Sequence, residues 1–313
     1  MIKNLASYIL VFIITVSLFP SELFAQDEPT NTQIVDSLFM RASSGMVMYR
    51  DEVEPSKKAL IDMGEAAIPR MLTKLNTRGA REMHTINDIF KGIGEIAVEP
   101  LAGRLTSRDD YVRRLAIRCM GEIKSPKAIE HLKPYAEHDD FRTRAGIMRA
   151  MGLIGNSQAS QIVIDGLFDT DELVATAAAV ACGKIKQGID PVALIEVFDH
   201  PYYGVRYCAM KSLAELGEKS IEPLKLYIKS KPDDLSLGFA IEALGKTGLK
   251  KAIGILKQTI KSEKWAIRAF TAQALGDINS GKSKKILKKV LKTESHPLVI
   301  NNAKMSLAKL QEN

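Results

Sequence analysis

Apolar residues recur at helical spacing along most of the chain. The segments YVRRLAIRCM (111–120) and WAIRAFTAQAL (265–275) place apolar side chains three and four residues apart, which is typical of an amphipathic helix. Roughly six residues rich in polar groups, glycine, serine or proline follow each such segment. A second helical segment then begins, for example AIEHLKPYAEH (128–138). The pattern predicts a succession of helical hairpins.

A glycine stands at the same point of the repeated phrase in eight copies, 27 to 34 residues apart: Gly64, Gly94, Gly121, Gly152, Gly183, Gly217, Gly245 and Gly276. Each one follows the first apolar segment, where a left-handed C-cap favours a residue without Cβ. We therefore expect each glycine to end a first helix. Acidic pairs open several of the next copies and are suited to cap helix N-termini: Asp109-Asp110, Asp139-Asp140 and Asp233-Asp234.

A single hairpin cannot bury its apolar faces, but a stack of hairpins can. With 46% hydrophobic and only 6% aromatic residues, the chain has an aliphatic core that suits packed helices. The sequence therefore predicts an all-α fold, an α-solenoid in which helical hairpins stack into a right-handed superhelix. We expect about eight to nine repeats over residues 51–313, the last a degenerate copy around Leu307. Residues 26–50 should form an N-terminal capping segment, whose helix turns Ile34, Leu38 and Phe39 towards the first repeat.

The N-terminus has the layout of a secretory signal. Lys3 precedes an uncharged run of eleven residues, Ile9 to Phe19, and the small residue Ala25 precedes Gln26. A membrane span needs about 20 apolar residues, so we expect residues 1–25 to be a cleaved signal peptide. An uncleaved anchor is the alternative. No later segment is apolar enough to cross a membrane, so the mature chain is expected to be exported to the periplasm or the extracellular space.

The three cysteines, Cys119, Cys182 and Cys208, fall inside helical apolar patterns. Their spacing along a helical stack would keep them too far apart for a disulfide bond. We expect all three to be small buried residues of the core.

The repeated unit resembles the HEAT repeat, in the short form of roughly 30 residues also seen in phycobilisome lyase subunits. In the third copy the resemblance rests on Val112, Arg113, Ala116, Gly121, Ile129 and Leu132. It covers about five-sixths of the chain and implies the fold, but hardly the function. It also implies that the arginine eight residues before the glycine pairs with an acidic residue near the inter-repeat turn; this arginine recurs at Arg113, Arg144 and Arg268.

Residues 276–283, GDINSGKS, match the pattern of a phosphate-binding loop. Such a loop follows a β-strand, whereas the segment before Gly276 has helical period. The sister turns EKSIEP and KTGLKK occupy the same place without the motif. We therefore interpret these residues as an ordinary turn between two helices.

Other catalytic and metal-binding patterns are weak. Glu130-His131 and Glu137-His138 lie seven residues apart, but Pro134 interrupts the helix between them and no further ligands are evident. The deoxyhypusine hydroxylases, a HEAT-like enzyme class, bind two irons through His-Glu dipeptides, and this chain has none. No nucleophile has an identifiable base. We expect no catalytic residues, no metal ligands and no cofactor; bilin lyase activity rests on family analogy alone.

Positive charge is concentrated in the C-terminal third. The net charge is +7, yet residues from Val205 onward carry +11, so residues 1–204 sum to −4. The segment KSKKILKKVLK (282–292) places Ile286, Leu287, Val290 and Leu291 on one helix face, opposite a row of lysines. Counting from the last three glycines makes Lys229, Lys257 and Lys288 equivalent. The candidate binding residues are Lys229, Lys257, Lys285, Lys288, Lys289 and Lys292.

Two interpretations of these lysines stay open: a solvated polar face, or a basic ridge for an anionic partner. Single-stranded nucleic acid would call for interleaved aromatic residues, and Tyr227 is the only one on the last three second helices. We expect an exported, non-enzymatic scaffold that binds a protein partner through an extended curved surface, and the basic ridge would suit an acidic partner. The alternatives are a binder of anionic envelope lipid or polymer, or a lyase-like enzyme subunit.

Overall fold

The computed structural model describes residues 30–230 and 232–312, so the predicted signal segment 1–25 lies outside the described residues. The described part is helical and contains no strand. Helix α1 (Asn31–Ala42) precedes eight helix pairs, and α18 (Pro297–Glu312) follows them. The first helices of the pairs are α2 (Val53–Asp62), α4 (Ala80–Ile93), α6 (Asp110–Ile123), α8 (Phe141–Ile154), α10 (Glu172–Ile185), α12 (Tyr203–Leu216), α14 (Asp234–Lys246) and α16 (Trp265–Asp277). The second helices are α3 (Ile68–Thr73), α5 (Val98–Ala102), α7 (Ala128–Leu132), α9 (Ser160–Gly166), α11 (Pro191–Glu196), α13 (Glu218–Lys229), α15 (Ile253–Thr259) and α17 (Gly281–Thr293).

The helices stack in sequence order. Each first helix from α4 to α16 packs against the first helix before it and the one after it, ending with α16 on α18. One continuous apolar core runs from Val35 on α1 to Leu310 on α18. The predicted all-α solenoid is therefore confirmed. On α1, Val35 and Phe39 are buried, while Ile34 and Leu38 are half-buried.

The recurrent glycines have two different roles. The prediction that each one ends its first helix is wrong for five of them, which lie buried inside the helix: Gly121, Gly152, Gly183, Gly245 and Gly276. A Cβ added at Gly245 would lie 2.5 Å from the Cα of Ala274 on the next first helix, and one added at Gly152 would lie 3.0 Å from the Cα of Ala181. Four of these glycines are required because the backbone of the next helix lies within 3.0 Å of an added Cβ, and at Gly183 the close atoms belong to the side chains of Ser212 and Glu215.

The left-handed residues that do end helices follow a more regular period. Apart from Gly188, the residues with positive φ stand 30 or 31 residues apart: Gly64, Gly94, Lys124, Gly155, Lys186, Gly217 and Gly248. Gly217 thus belongs with the caps, as do Gly64 and Gly94. A Cβ at Gly152 would meet Ala181, which stands two residues before the next buried glycine, Gly183. A Cβ at Gly183 would meet Ser212, so the equivalent position in α12 is two residues later, at Ala214. The eight recurrent glycines are unevenly spaced because some are helix caps and others are buried inside a helix.

Arginines connect four of the first helices to the turn that precedes them. Four of them donate Nη1 to the carbonyl six residues earlier, at 2.5 to 2.8 Å: Arg113, Arg144, Arg206 and Arg268. Arg144 also grips both carboxylate oxygens of Asp169 (2.7 and 2.9 Å), and Arg268 grips those of Glu294 in the same way (2.7 and 3.0 Å). The expected inter-repeat pairing is confirmed for these two, whereas Arg113 pairs with Asp110 of its own helix.

Arg206 makes no such pair with a described residue. The sequence has Lys231 and Pro232 at the offset where Asp169 and Glu294 stand, and Nε of Arg206 finds no hydrogen-bond partner within residues 30–230 and 232–312. Aromatic contacts hold this joint between α12 and α14 instead. Phe239 stacks on Phe198 and lies against Tyr203, with ring centroids 5.8 Å apart in both contacts. The guanidinium of Arg206 lies 5.8 Å from the centre of the Phe239 ring.

We predict that Gly245→Ala lowers the thermal midpoint of unfolding, because the added methyl forces α14 away from α16. Overpacking of this kind costs about 1–3 kcal/mol, more than the gain of up to about 1 kcal/mol in helix propensity. Gly254→Ala is the matched control, since a Cβ there meets nothing within 4 Å. Differential scanning calorimetry should show a lower midpoint for the first variant alone; equal midpoints would contradict the close-approach role.

The Arg268–Glu294 pair should make stability depend on pH. The hydrogen bond from Arg268 lowers the pKa of Glu294 from 4.5 to about 2. Because the folded pKa is depressed, the stabilisation is present above about pH 4.5 and is lost as the pH falls towards about 2. Glu294→Gln should therefore cost about 2 kcal/mol at pH 7 and less at pH 3.

Thermal unfolding of wild type and variant across this pH range checks the prediction. Glu263→Gln serves as the control, because the exposed Glu263 makes no ion pair with a described residue. A difference in midpoint that stays constant from pH 7 to pH 3 would show that the pair does not stabilise the fold.

Candidate functional site

Helix α17 is amphipathic in the way the sequence predicts. Leu287 and Val290 are buried, and Ile286 and Leu291 pack partly against the core. Ser280 caps the helix by accepting a hydrogen bond from the backbone N–H of Lys282 at 3.2 Å. The lysines of the opposite face are exposed: Lys285, Lys288, Lys289 and Lys292.

The segment 276–283 that matches a phosphate-loop pattern comprises the end of α16, a short turn at 278–280 and the start of α17. Gly276 lies inside α16, and Gly281 is the first residue of α17. Asp277 pairs with Lys309 at 2.6 Å, which joins the turn to α18. Since a helix precedes the motif, its backbone N–H groups have no strand-to-helix loop in which to cradle a phosphate. The interpretation as a structural turn is confirmed.

Five exposed lysines on α15 and α17 form what we call the lysine face: Lys257, Lys285, Lys288, Lys289 and Lys292. The two helices are neighbours in the second-helix row. None of these lysines lies within ion-pair distance of a carboxylate in residues 30–230 and 232–312. By contrast, Lys264 pairs with Asp234 and Lys309 with Asp277, each at 2.6 Å. The lysine face therefore presents unneutralised positive charge.

Lys229 does not share the register of the lysine face. Fully buried leucines mark equivalent points of the three second helices: Leu224, Leu256 and Leu287. Lys257 and Lys288 each follow such a leucine directly, whereas Lys229 is the exposed last residue of α13. The register position in α13 belongs to Lys225, which pairs with Glu222 at 2.6 Å. Lys229 is twelve residues after Gly217, which is a helix cap, whereas Lys257 and Lys288 are twelve residues after the buried glycines Gly245 and Gly276. The same count therefore leads to a different register in α13.

The histidines and cysteines do not converge. His131 lies 3.0 Å from Glu99, and Nδ1 of His138 accepts a hydrogen bond from the backbone N–H of Asp140. Among the described residues, no three His, Cys, Asp or Glu side chains are grouped as metal ligands. The cysteines are free, and burial raises the pKa of Cys182 to about 12, which disfavours the nucleophilic thiolate. Cys119 is buried as expected, while Cys208 is only half-buried.

The structure contains a second basic surface that the sequence did not predict. Arg118 on α6 and both Arg142 and Arg149 on α8 are exposed on the first-helix row. They lie in the part of the chain whose charges sum to −4, so a count along the sequence hides them. The sequence does indicate that two of them are neighbours, because Arg118 and Arg149 each stand three residues before a recurrent glycine, Gly121 and Gly152.

No helix in the described part of the chain has the length and apolar character needed to cross a membrane.

Comparison with solved structures supports the solenoid fold. Importin beta resembles the chain with a TM-score of 0.54 at 12% identity; the match covers 96% of this chain and 55% of importin beta. An engineered protein matches at 17% identity over 90% of this chain and 92% of its own, with a TM-score of 0.43. Human deoxyhypusine hydroxylase, solved with glycerol, matches at 16% identity over 90% and 98%, with a TM-score of 0.34. At these identities the likeness concerns the fold alone.

Comparison with curated proteins gave no match. The finer resemblance to the phycobilisome-lyase type found no support of its own and stays a prediction. The family model for HEAT repeats matches residues 98–183 and 221–308. These two ranges make up more than half of the 313 residues, and the chain therefore belongs to the HEAT-repeat family.

Proposed function

We propose that this protein is an exported, non-enzymatic HEAT-repeat scaffold that binds a protein partner through an extended surface that includes the lysine face. The observation that carries the proposal is the set of five exposed lysines on α15 and α17, none of which has a carboxylate within ion-pair distance in the described part of the chain. HEAT solenoids in general present long surfaces to protein partners.

Five positive charges are grouped on the lysine face without an ion-pair partner among the described residues. Elsewhere, several lysines pair with an acid of a neighbouring repeat, as Lys57 does with Asp88 at 2.9 Å and Lys127 with Glu95 at 2.6 Å. Like charges at neighbouring positions of one helix repel each other, and an acidic partner would relieve that repulsion. Such complementarity mainly speeds association and selects the partner, and it weakens as salt is added.

Export to the periplasm or the extracellular space is part of the proposal. It rests on the sequence of residues 1–25, with its basic start, apolar run and small residue before Gln26. An extracytoplasmic location favours an acidic protein over nucleic acid as the partner. A binder of anionic envelope lipid or polymer is the second candidate, because the same lysine face would suit phosphate or carboxylate groups.

An enzyme or lyase-like subunit is less well supported. The likeness to deoxyhypusine hydroxylase has a TM-score of 0.34, and the sequence contains no His-Glu dipeptide.

The proposal predicts that Lys257→Glu, Lys285→Glu and Lys288→Glu, combined, abolish partner capture. Residues 26–313 would be immobilised and exposed to the native envelope fraction at low and high salt, and the retained molecules identified by mass spectrometry. Wild type should retain a discrete protein at low salt and release it at high salt, because salt screens exposed charges. The triple variant should retain none.

Lys133→Glu, Lys219→Glu and Lys304→Glu form the control, since these exposed lysines lie outside the lysine face and make no ion pair with a described residue. The control should capture the partner as wild type does. Equal capture by the triple variant would remove the lysine face from the proposal. Retention of lipid or polymer in place of a protein would favour the second candidate.

A further inference from the structure

Two crevices open side by side on the first-helix row, at the contacts of α6 with α8 and of α8 with α10. Their volumes are about 330 and 310 Å³, and Arg149 lines both of them. The two crevices lie on either side of α8 and share Arg149, and we call them together the arginine groove. Helix axes in contact lie 8–10 Å apart, so the groove extends about 20 Å across the row.

The groove carries strong positive charge. Five basic side chains and one acidic side chain line it: Arg114, Arg118, Arg142, Arg149, Lys184 and Glu122. Arg114 is partly neutralised by Asp140 at 3.3 Å, and Glu122 is 3.9 Å from Lys91. Arg118, Arg142 and Arg149 are exposed and form no ion pair with any residue in the described ranges. Three guanidinium groups are therefore free to take external carboxylates.

The floor of the groove is apolar, and it is recessed below the flanking side chains because its residues are small. Gly146 and Ala150 form the floor between α6 and α8, and Ala181 forms part of it between α8 and α10. On the rim, Leu173 and Val180 of α10 are 49% and 40% exposed. A ligand in the groove can thus bury apolar side chains on the floor while its charged groups meet the arginines.

We propose that the arginine groove binds a short acidic segment of a protein, in which carboxylate side chains alternate with apolar ones. Arginine binds carboxylates through two parallel hydrogen bonds, and three such groups around an apolar floor fit this alternation. At about 3.3 Å per residue, roughly six extended residues cover the 20 Å of the groove.

Other anionic ligands fit less well. Single-stranded nucleic acid binds on stacking aromatic side chains, and none lines the groove. The nearby Tyr111 is already held between Arg78 and Arg114, which lie 4.1 and 4.9 Å from its ring centre. The apolar floor is recessed between helices, out of reach of a flat membrane surface. The groove lies on the first-helix row, so it is distinct from the lysine face and does not depend on it.

The test measures binding of a fluorescent ten-residue peptide, in which glutamate alternates with leucine and serine, to residues 26–313 by fluorescence anisotropy. Arg118→Gln, Arg142→Gln and Arg149→Gln, combined, should weaken binding at least about tenfold. Arg50→Gln, Arg104→Gln and Arg108→Gln remove the same charge from exposed arginines that make no ion pair with a described residue. This control should bind within about twofold of wild type. Circular dichroism confirms that both variants are folded.

Two further peptides separate the charged and apolar contributions. Replacing the glutamates by glutamine should abolish binding, and replacing the leucines by serine should weaken it at least about tenfold. A serine-substituted peptide that binds as well as the original would overturn the apolar part of the proposal. No saturable binding of the original peptide, or an equal loss in the control variant, would overturn the whole. A single-stranded oligonucleotide or anionic vesicles that bind more tightly than the peptide would do so too.

The outcome is independent of the proposed scaffold function. The Lys257→Glu, Lys285→Glu and Lys288→Glu variant should still bind the peptide as wild type does. If it loses the peptide while the arginine variant keeps it, the acidic segment binds at the lysine face, and the groove proposal fails.

Discussion

The close approach of successive first helices is the contact on which the stack depends. At Gly121, Gly152 and Gly245 a side chain as small as a methyl would meet the backbone or Cβ of the next first helix at 2.5 to 3.0 Å. Alanine or serine stands opposite in each such contact, so both partners are kept small. This spacing brings the exposed faces of α6, α8 and α10 near enough together to form one groove. The candidate binding surfaces therefore follow from a steric constraint buried beneath them.

Much of the architecture could be predicted from the sequence, because hairpin repeats report their core through local apolar periodicity. The buried stripe of Leu287 and Val290 is predicted correctly on that basis. The role of each glycine could not be predicted, since the need for glycine at position 245 arises from Ala274, 29 residues away. The same difficulty affects the lysines, because the equivalence of Lys229 with Lys257 and Lys288 depends on treating the cap residue Gly217 as a buried glycine.

The charge of a surface proved harder to predict than its fold. Residues 1–204 sum to −4, yet they contain the arginine groove. Many of their acids are used inside the repeats: Asp109 and Asp171 cap helices, and Asp169 is held by Arg144. Charges engaged in this way do not neutralise the groove, and only three-dimensional placement separates them from the free arginines. The net charge summed along a segment therefore gives the sign of that segment's charge, but it does not give the sign of the charge on a particular surface.

The joint between α12 and α14 has a consequence for the order in which the array comes apart. The α8–α10 and α16–α18 joints, which lie further out on either side, are fastened by Arg144 with Asp169 and by Arg268 with Glu294, whereas this joint relies on Phe198, Tyr203 and Phe239. In a linear array each interface contributes to stability separately. Protonation of the carboxylates loosens the ionic joints and leaves the aromatic one intact. In acid the solenoid should thus fray from both sides towards a surviving central block.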